Sequence, residues 1–525
     1  MATYELKNRA IYSNRDTGNR LSAGDGDEIT LQRLGKKPVL KRNFGILSIL
    51  GFSCTILSTW EGLLGGGSAG AVYAYIFAWT GTGSCFLLLS ELASMAPTSG
   101  GQYHWVAMLA PSRWMKFLSY ITGWLTAIGW QAAFASGTFM CAAEIQGISI
   151  LAHSHYAPES YQGTLILWCL LLVALGVNLV GGKFLPRLEG LILVIHILGF
   201  FAILIPLVYM SEHNSSHEVF LNFNNGGGFS TQTLSWFVGM LGCVFSFAGG
   251  DAAVHMAEEV ANASTAIPKA IVLAVVVNGS LGFGMLLGLL YCLGDIEDAL
   301  KSPTGFPYIE IIYQGTGSMG GTVAMVSILL VTGVASAIGM LAATSRQFWS
   351  FARDRGVPGW RFWSRVSART SLPTYSVLLT ITVSWLLGLI NIGSSTALND
   401  ILSMAVSGLY SSYLFVGSLL LYRRIRGEIA DHNDNDDMTI NVPGAKLVWG
   451  PFHIPGIWGI LLNIYAVIYM VIVVFFSFWP DQINPSVSTM NYAVVGTVGV
   501  IILAIIYYVV RARHVYKGPI TETFL

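Results

Sequence analysis

The apolar positions of the chain fall into long blocks separated by short polar connections. Apolar runs of roughly 20 residues are long enough to cross the ~30 Å hydrocarbon core of a bilayer as α-helices. The pattern therefore predicts an all-α polytopic membrane protein with twelve transmembrane helices. They lie near residues 44–64, 71–95, 116–147, 163–181, 189–210, 233–257, 268–293, 320–345, 374–391, 398–422, 456–479 and 491–510.

Composition supports this prediction and limits where function can reside. Hydrophobic residues make up 54% of the chain and charged residues 11%, and the mean hydropathy is +0.61, outside the range of soluble domains. The longest polar stretches, the tail 1–43 and the loop 423–455, are too short for a further soluble domain. The lipid bilayer is an expected partner, whereas the equal numbers of basic and acidic residues, 28 each, give no indication of a nucleic acid.

The basic residues indicate the orientation. If the N-terminus is cytosolic, 27 of the 28 Lys and Arg residues fall in the tails, at the cytosolic ends of spans or in the connections that are then internal, and Lys301 is the exception. This positive-inside pattern predicts an even number of spans with both termini cytosolic. The polar loop 423–455 and the C-terminal tail 511–525 would then be cytosolic as well.

Two spans are interrupted by polar and glycine residues: "GFSCTILSTWEGLLGGG" (51–67) in span one and "FAGGDAA" (247–253) in span six. An unwound backbone survives within a membrane only where it faces protein or a water-filled cavity. Interrupted helices at corresponding places indicate an inverted repeat with a binding site near the midplane. The transport core would be residues 44–422, with repeats of about 44–210 and 233–422, and helices eleven and twelve (456–510) would lie outside it.

The breaks supply the candidate substrate-binding residues. An open helix presents bare carbonyl groups and bare N–H groups, which attract cations and anions respectively. Two other interpretations stay open, since the glycines are also typical of close helix packing and Asp251 is also a suitable N-cap. The predicted contacts are Ser58, Thr59, Trp60, Glu61, Gly62, Phe247, Ala248, Gly249, Gly250 and Asp251.

Further ionisable residues indicate coupling and gating. Glu61 lies in an otherwise neutral span, where a carboxylate is costly unless it is paired, hydrated or protonated. His196 in span five could titrate during transport, or could be a neutral histidine bonded to a backbone carbonyl. Proton coupling through Glu61 and His196 is therefore predicted. A cytosolic gate of ion pairs is predicted near the ends of helices two, six and eight, formed by Glu91, Glu258, Glu259 and Arg346.

Three motifs carry a resemblance to a known family. They are "FSFAGGDAAVHMAEEVANASTAIPKAI" (245–271), "SELASMAPTSGGQYHWVAMLAP" (90–111) and "SRQFWSFARDRGVPGW" (345–360). The sequence resembles the amino acid-polyamine-organocation transporters, most of all their fungal amino acid and choline transporter group. The resemblance implies a LeuT-type 5+5 inverted repeat with discontinuous helices 1 and 6. It also implies a small amine or amino acid substrate, with 4-aminobutyrate and choline as examples.

One segment departs from the family pattern. Many amino acid exchangers have a glycine-rich segment where this chain has Ser-Thr-Trp-Glu-Gly (58–62). A carboxylate at Glu61 repels a substrate carboxylate unless it is protonated, so a simple α-amino acid mode is in doubt. At the position of His196, the resemblance implies a site that some bacterial members fill with a lysine.

The sequence thus predicts a secondary active permease of the plasma membrane that imports a small amine-bearing solute together with protons. Phosphate-binding, nucleophile-elbow and metal-ligand motifs do not occur in the sequence, so no enzyme, cofactor or metal site is predicted. The alternatives are a nutrient-sensing receptor on a transporter scaffold, a channel, and an uncoupled exchanger or uniporter of amino acids or polyamines. The sequence does not indicate an oligomeric state.

Overall fold

The computed structural model describes residues 23–57, 59, 68–153, 155–180, 184–294, 299, 301–393, 396–431, 440–487 and 489–521. Nearly all regular structure is helical. The helices are α1 Ala23–Arg33, α2 Ile46–Ile56, α3 Ser68–Met95, α4 Gln102–Leu109, α5 Met115–Ala152, α6 Ser160–Val180, α7 Leu185–Met210, α8 Ser216–Leu221, α9 Gln232–Gly239, α10 Leu241–Ser246, α11 Ala252–His255, α12 Ala263–Tyr291, α13 Pro307–Thr316, α14 Met319–Arg353, α15 Trp360–Trp363, α16 Thr374–Gly388, α17 Ile390–Gly393, α18 Ala397–Ile425, α19 Gly456–Phe476, α20 Ala493–Tyr507 and α21 Arg513–Val515. A 3₁₀ turn covers Ala257–Glu259, a π-helical turn covers Tyr508–Ala512, and the strands β1 Ile429–Ala430 and β2 Leu447–Val448 pair in parallel.

Within the described ranges, ten helices are long and apolar enough to cross a membrane. They coincide with ten of the twelve predicted stretches, the second to the fifth and the seventh to the twelfth. Two shorter apolar helical segments, Ile46–Ile56 and Gln232–Ser246, lie where the first and sixth were predicted. The protein is an integral, multi-pass membrane protein.

The first and sixth segments differ from the others in being too short to span. The 11 residues of α2 rise about 17 Å, roughly half of the hydrocarbon core. In the sixth segment, α10 ends at Ser246, residues 247–251 form turns, and α11 and the 3₁₀ turn follow. Residues 58 and 60–67, the second half of the first segment, lie outside the described residues.

The helices pack around a core that brings distant parts of the chain together. α18 and α14 pack along α5, α12 packs along α3, and α2 is held by α7, α12 and α14. Where α5 meets α18, a Cβ atom on Gly129 would lie 2.6 Å from the backbone nitrogen of Leu409, and one on Gly408 would lie 2.8 Å from the Gly129 Cα. The two backbones approach this closely because both positions lack a side chain.

The polar N-terminal tail is not a loose segment over residues 23–43, the part that the structure describes. α1 precedes a docked segment in which Leu31, Leu34 and Lys36 are buried. Lys36 pairs with Asp354 at 2.6 Å. This contact partner lies 318 residues away, so local hydropathy could not reveal the docking surface.

The polar loop 423–455 is packed against the protein over part of residues 440–455. The Asn441 amide donates to the Met95 carbonyl at 2.9 Å, and the Phe452 N–H donates to the Ser94 hydroxyl at 2.9 Å. The loop therefore packs on the end of α3. Of the acidic stretch 431–437, residues 432–437 lie outside the described residues.

Candidate functional site

The break in the sixth segment depends on two glycines with different roles. Gly249 has φ of +94°, and a Cβ atom there would lie 3.0 Å from Ile56 and 3.4 Å from Trp130. Only glycine adopts this backbone without strain, so Gly249 opens the helix. At Gly250 a Cβ atom would lie 2.1 Å from Phe86. Gly250 is thus a close-packing glycine, as the alternative interpretation proposed.

Asp251 follows the glycines and is completely buried. The Gln102 amide donates to its Oδ2 at 2.6 Å, the Tyr413 hydroxyl donates to its Oδ1 at 2.6 Å, and the Trp130 indole N–H lies 3.3 Å from Oδ2. It occupies the N-cap position of α11 but, within the described residues, makes no capping hydrogen bond. Its carboxylate instead joins the break to α4, α5 and α18.

His255 completes the surroundings of Asp251. Its Nε2 lies 3.3 Å from Asp251 Oδ2, and its Nδ1 lies 3.0 Å from the carbonyl oxygen of Ser99. Both ring nitrogens thus face oxygen atoms. The carboxylate and its donors therefore form a closed polar cluster, and Asp251 anchors the break instead of facing an open space.

His196 is held by a chain of side-chain contacts that reaches α2. Its Nε2 lies 2.7 Å from Asn278 Oδ1, and Asn278 Nδ2 donates to the Cys54 carbonyl at 3.1 Å. Because Nδ2 must face the carbonyl, Oδ1 faces His196, and the Nε2 atom of His196 carries the donated proton. An asparagine side chain is thus one partner of the imidazole. Thr59 lies next to this chain and donates to the Asn278 carbonyl at 2.8 Å.

A cavity lies beside the break, between α2, α5, α10 and α14. The space open to the centres of water-sized molecules is about 40 Å³, enough for water but too small for an organic solute. Its walls are mainly apolar. The lining residues are Ile56, Ala133, Gly137, Met140, Cys141, Glu144, Phe245, Ser246, Ala248, Gly333, Ser336 and Met340.

Glu144 is the charged residue among those that line this cavity. Its carboxylate accepts a hydrogen bond from the Tyr308 hydroxyl of α13, and the side chain is almost fully buried. An acid in apolar surroundings favours a cationic ligand over an anionic one. The cavity is thus suited to an ammonium group once it opens.

The four residues of the predicted gate are buried and ion-paired, but they do not form one cluster. Arg346 Nε lies 2.8 Å from Glu259 Oε1. Glu91 pairs instead with Arg424 of α18, through two hydrogen bonds of 2.7 and 3.0 Å. Glu258 pairs in the same bidentate way with Arg353, at 2.7 and 3.0 Å. These three pairs join helices that are distant in sequence on one face of the molecule, here called the ion-pair face.

The structure brings some predicted substrate residues together and leaves others undescribed. Ala248 lines the cavity, whereas Phe247 is buried against the Tyr75 ring with centroids 5.2 Å apart. Ser58, Trp60, Glu61 and Gly62 lie outside the described residues, so the predictions for them stay predictions.

Several residues of this region are not among the site residues predicted from the sequence. Tyr413, Asn278 and Glu144 are polar or charged residues inside apolar spans, which is itself a signal of function or buried pairing. Gln102 and Arg424 lie near helix ends, where polar residues are common, and their sequence positions carry no comparable signal.

These contacts define a class of protein: a helical multi-pass membrane protein in which an interrupted helix lies beside a small carboxylate-lined cavity. The family model described as amino acid permease matches residues 44–500. The chain belongs to the amino acid permease family. The resemblance to the amino acid-polyamine-organocation superfamily is thereby confirmed.

Individual relatives agree with this assignment. A protein of Macrophomina phaseolina whose name assigns it to amino acid or polyamine transport is 30% identical over 453 residues, covering 85% of this chain and 96% of that protein. The amino-acid permease BAT1 of Arabidopsis thaliana is 28% identical, covering 95% and 97%. The choline transporter of Saccharomyces cerevisiae is 29% identical, covering 91% and 83%.

Proposed function

We propose that this permease is a secondary active transporter that imports a small amine-bearing solute, such as an amino acid, 4-aminobutyrate or choline, together with protons. The observation that carries the proposal is the interrupted sixth segment beside a cavity whose charged lining residue is Glu144. A cationic amine can replace the Tyr308 hydroxyl as the partner of that carboxylate. The names of three relatives refer to amino acids, polyamines and choline, which all carry an amino or ammonium group.

The proposed architecture is twelve helices, with residues 44–210 and 233–422 as inverted repeats of five helices in the LeuT manner. Two packing relations support it. Helices two and seven (α3 and α12) and helices three and eight (α5 and α14), which the repeat would relate, pack against each other, as expected near a two-fold axis. An experimental structure with an unbroken helix through residues 57–62 would contradict this architecture.

The proposed location is the plasma membrane, with both termini cytosolic. The distribution of Lys and Arg supports this orientation. The ion-pair face would then be the cytosolic face, and Glu91, Glu258, Glu259 and Arg346 would contribute to its gate. The two acid–arginine pairs that involve Arg353 and Arg424 extend that gate beyond the predicted residues.

The proposed substrate-binding residues are those of the two breaks, together with Glu144. Ser58, Thr59, Trp60, Glu61 and Gly62 would supply the first break, and Phe247, Ala248, Gly249 and Gly250 the second. Asp251 would act through its hydrogen bonds, by keeping the second break in place.

Uptake into proteoliposomes tests the proposed function. Labelled 4-aminobutyrate, choline, a polyamine and several amino acids are offered under an inward proton gradient, and at least one amine is expected to accumulate. Glu144→Gln should raise KM for that amine about tenfold or more, because a charge-assisted contact is lost. Glu310→Gln, on the neighbouring helix α13, is the matched control. Transport of a sugar or purine with failure of every amine would contradict the proposal.

Proton coupling is proposed to use Glu61 and His196. Glu61→Gln should abolish accumulation above equilibrium and leave counterflow exchange measurable, because a neutral amide mimics a permanently protonated acid. Loss of both activities would instead assign Glu61 to substrate binding. His196→Gln should flatten the pH dependence of uptake. Accumulation that survives a protonophore at unchanged membrane potential would exclude proton coupling.

A further inference from the structure

Glu189 in α7 is a buried acid that the proposed function does not use. Its side chain is 1% exposed, and neither Oε1 nor Oε2 has a hydrogen-bond partner within the described part of the chain. The helix dipole stabilises an anion in the first turn of a helix. Glu189 is the fifth residue of α7 and lies beyond that turn. An ionised carboxylate is very costly in such a position without a partner.

The carboxyl group lies in a gap between α2, α7 and α14. A Cβ atom on Gly339 of α14 would lie 3.4 Å from Glu189 Oε1, 3.4 Å from Ile56 Cδ1 and 3.4 Å from Phe52. On the other side, a Cβ atom on Gly51 would lie 2.5 Å from the Glu189 carbonyl oxygen. The absence of side chains at both glycines thus lets α2 and α14 close over the acid.

The neighbouring helices offer no compensating charge. Thr55 on α2 has the hydroxyl nearest to the carboxyl group and acts on it at close range, but its hydrogen bond goes to the Gly51 carbonyl. Arg346 of α14 is paired with Glu259, and Arg187 of α7 and Lys269 of α12 are exposed. Arg353 at the end of α14 is paired with Glu258. The uncharged titratable groups on these helices are Cys54, Tyr209, Tyr291 and His196, the last bonded to Asn278.

The surroundings also indicate what the acid binds. A sodium ion requires several oxygen ligands, whereas the point beside Gly339 that lies 3.4 Å from Glu189 Oε1 is otherwise bordered by carbon atoms of Phe52 and Ile56. The described residues contain no group of three or more acidic, His or Cys side chains that could hold a metal ion. A proton satisfies the carboxylate without further ligands.

Ile56 connects this acid to the substrate region. It lines the cavity, and its Cγ2 lies 3.0 Å from the position that a Gly249 Cβ would take. Ile56 is also the last residue of α2, immediately before the first break. A movement of this helix end would therefore change the cavity and the cover of Glu189 together.

We propose that Glu189 is a proton-binding site of the transport cycle. This inference rests on the proposed function. The carboxyl group is neutral while α2 and α14 cover it, and its O–H bond breaks when these helices separate and water enters, so the proton leaves to that water. The deprotonated carboxylate disfavours closure of α2 and α14 until a proton from the opposite side of the membrane binds. Proton binding and helix closure are thereby linked.

The experiment combines a transport measurement with a readout that needs no substrate. Full-length protein in proteoliposomes is tested for gradient-driven accumulation of the amine identified in the uptake panel. Infrared difference spectra of the same samples record the C=O band of a protonated carboxyl group, which shifts in D₂O. Glu189→Gln should remove that band and reduce accumulation to the level reached without a gradient, while exchange persists. Glu189→Asp should restore part of the accumulation.

Glu212→Gln, an exposed acid beyond the end of α7, is the control and should retain both band and accumulation. Two results would overturn the inference: gradient-driven accumulation by Glu189→Gln equal to that of the wild type, or carboxyl bands that this substitution leaves unchanged. Loss of the band with accumulation intact would mean a neutral structural acid, and also overturns it. If the wild type transports no amine, the proposed function fails, and the band still reports on Glu189 separately.

Discussion

At the scale of single residues, the buried acids of this permease differ in how they are satisfied. Asp251 has hydrogen-bond donors around both carboxylate oxygens, Glu144 has the Tyr308 hydroxyl, and Glu189 has no hydrogen-bond partner among the described residues. An acid with several donors is held in place by them, whereas an acid without donors is suited to carry a proton. Asp251 would thus anchor the break, and Glu189 would bind the proton.

Asp251→Asn should destabilise the protein by about 3 kcal/mol, because the new NH₂ group faces donors where an oxygen was an acceptor. The measurement is the Tm of purified protein in detergent, which should fall. Asp431→Asn, at an exposed position, should leave Tm unchanged. An unaltered Tm in Asp251→Asn would contradict the role of Asp251 as an anchor.

At the scale of elements, the segment after α1 is a docked part of the fold. Asp354 accepts hydrogen bonds from Lys36 at 2.6 Å, from the Tyr103 hydroxyl at 2.8 Å and from the Ile520 N–H at 2.9 Å. Burial alone would raise the pKa of Asp354, but the charges of Lys36 and Arg353 outweigh it and hold the pKa below its usual value. Lys36 of the N-terminal segment and Ile520 of the C-terminal segment therefore meet at one carboxylate at the end of α14.

Lys36→Met should release this segment, because it leaves Asp354 buried without its main counter-charge, at a cost of about 3–5 kcal/mol. Limited proteolysis within residues 23–43 should accelerate. Lys37→Met, at the exposed neighbouring position, should behave like the wild type. Equal cleavage rates in the two variants would show that the ion pair does not hold the segment.

Acid should release the same segment in the wild type. A carboxyl group with a lowered folded-state pKa stabilises the docked state above its ordinary pKa of about 3.9, and this contribution is lost as the pH falls through the lowered value. Burial and then the Lys36 charge also lower the pKa of His104 to about 4. Because a released His104 would bind a proton below about pH 6.5, docking should weaken from there downward.

At the scale of the whole molecule, the ion-pair face joins helices that belong to different parts of the chain. Glu91 and Arg424 connect α3 with α18, and Glu258 and Arg353 connect the sixth segment with α14. Each pair is nearly buried, so removal of one partner leaves an uncompensated charge. The pairs therefore stabilise the conformation in which this face is closed.

Glu258→Gln should favour opening of this face. Hydrogen exchange of the backbone amides of residues 256–260 should become faster by on the order of 10-fold to 100-fold, which corresponds to part of the energy of a buried ion pair. Glu428→Gln breaks the more exposed pair with Arg423 and should change exchange little. Unchanged exchange in Glu258→Gln would show that this pair does not hold the face closed.

The sequence by itself determined the ten long membrane-spanning helices, the family and the break at Gly249, because apolar length, helix-breaking residues and motif spacing are local properties. Tertiary structure decided the partners. Asp251 contacts Gln102, Trp130 and Tyr413, and Glu91 pairs with Arg424. Glu189 has no hydrogen bond within the described residues. Such partners lie 121 to 333 residues apart, and the charge state that a buried acid can hold depends on them. The packing of the helices, and not the order of the residues, therefore determines the partners and the chemical behaviour of each buried acid.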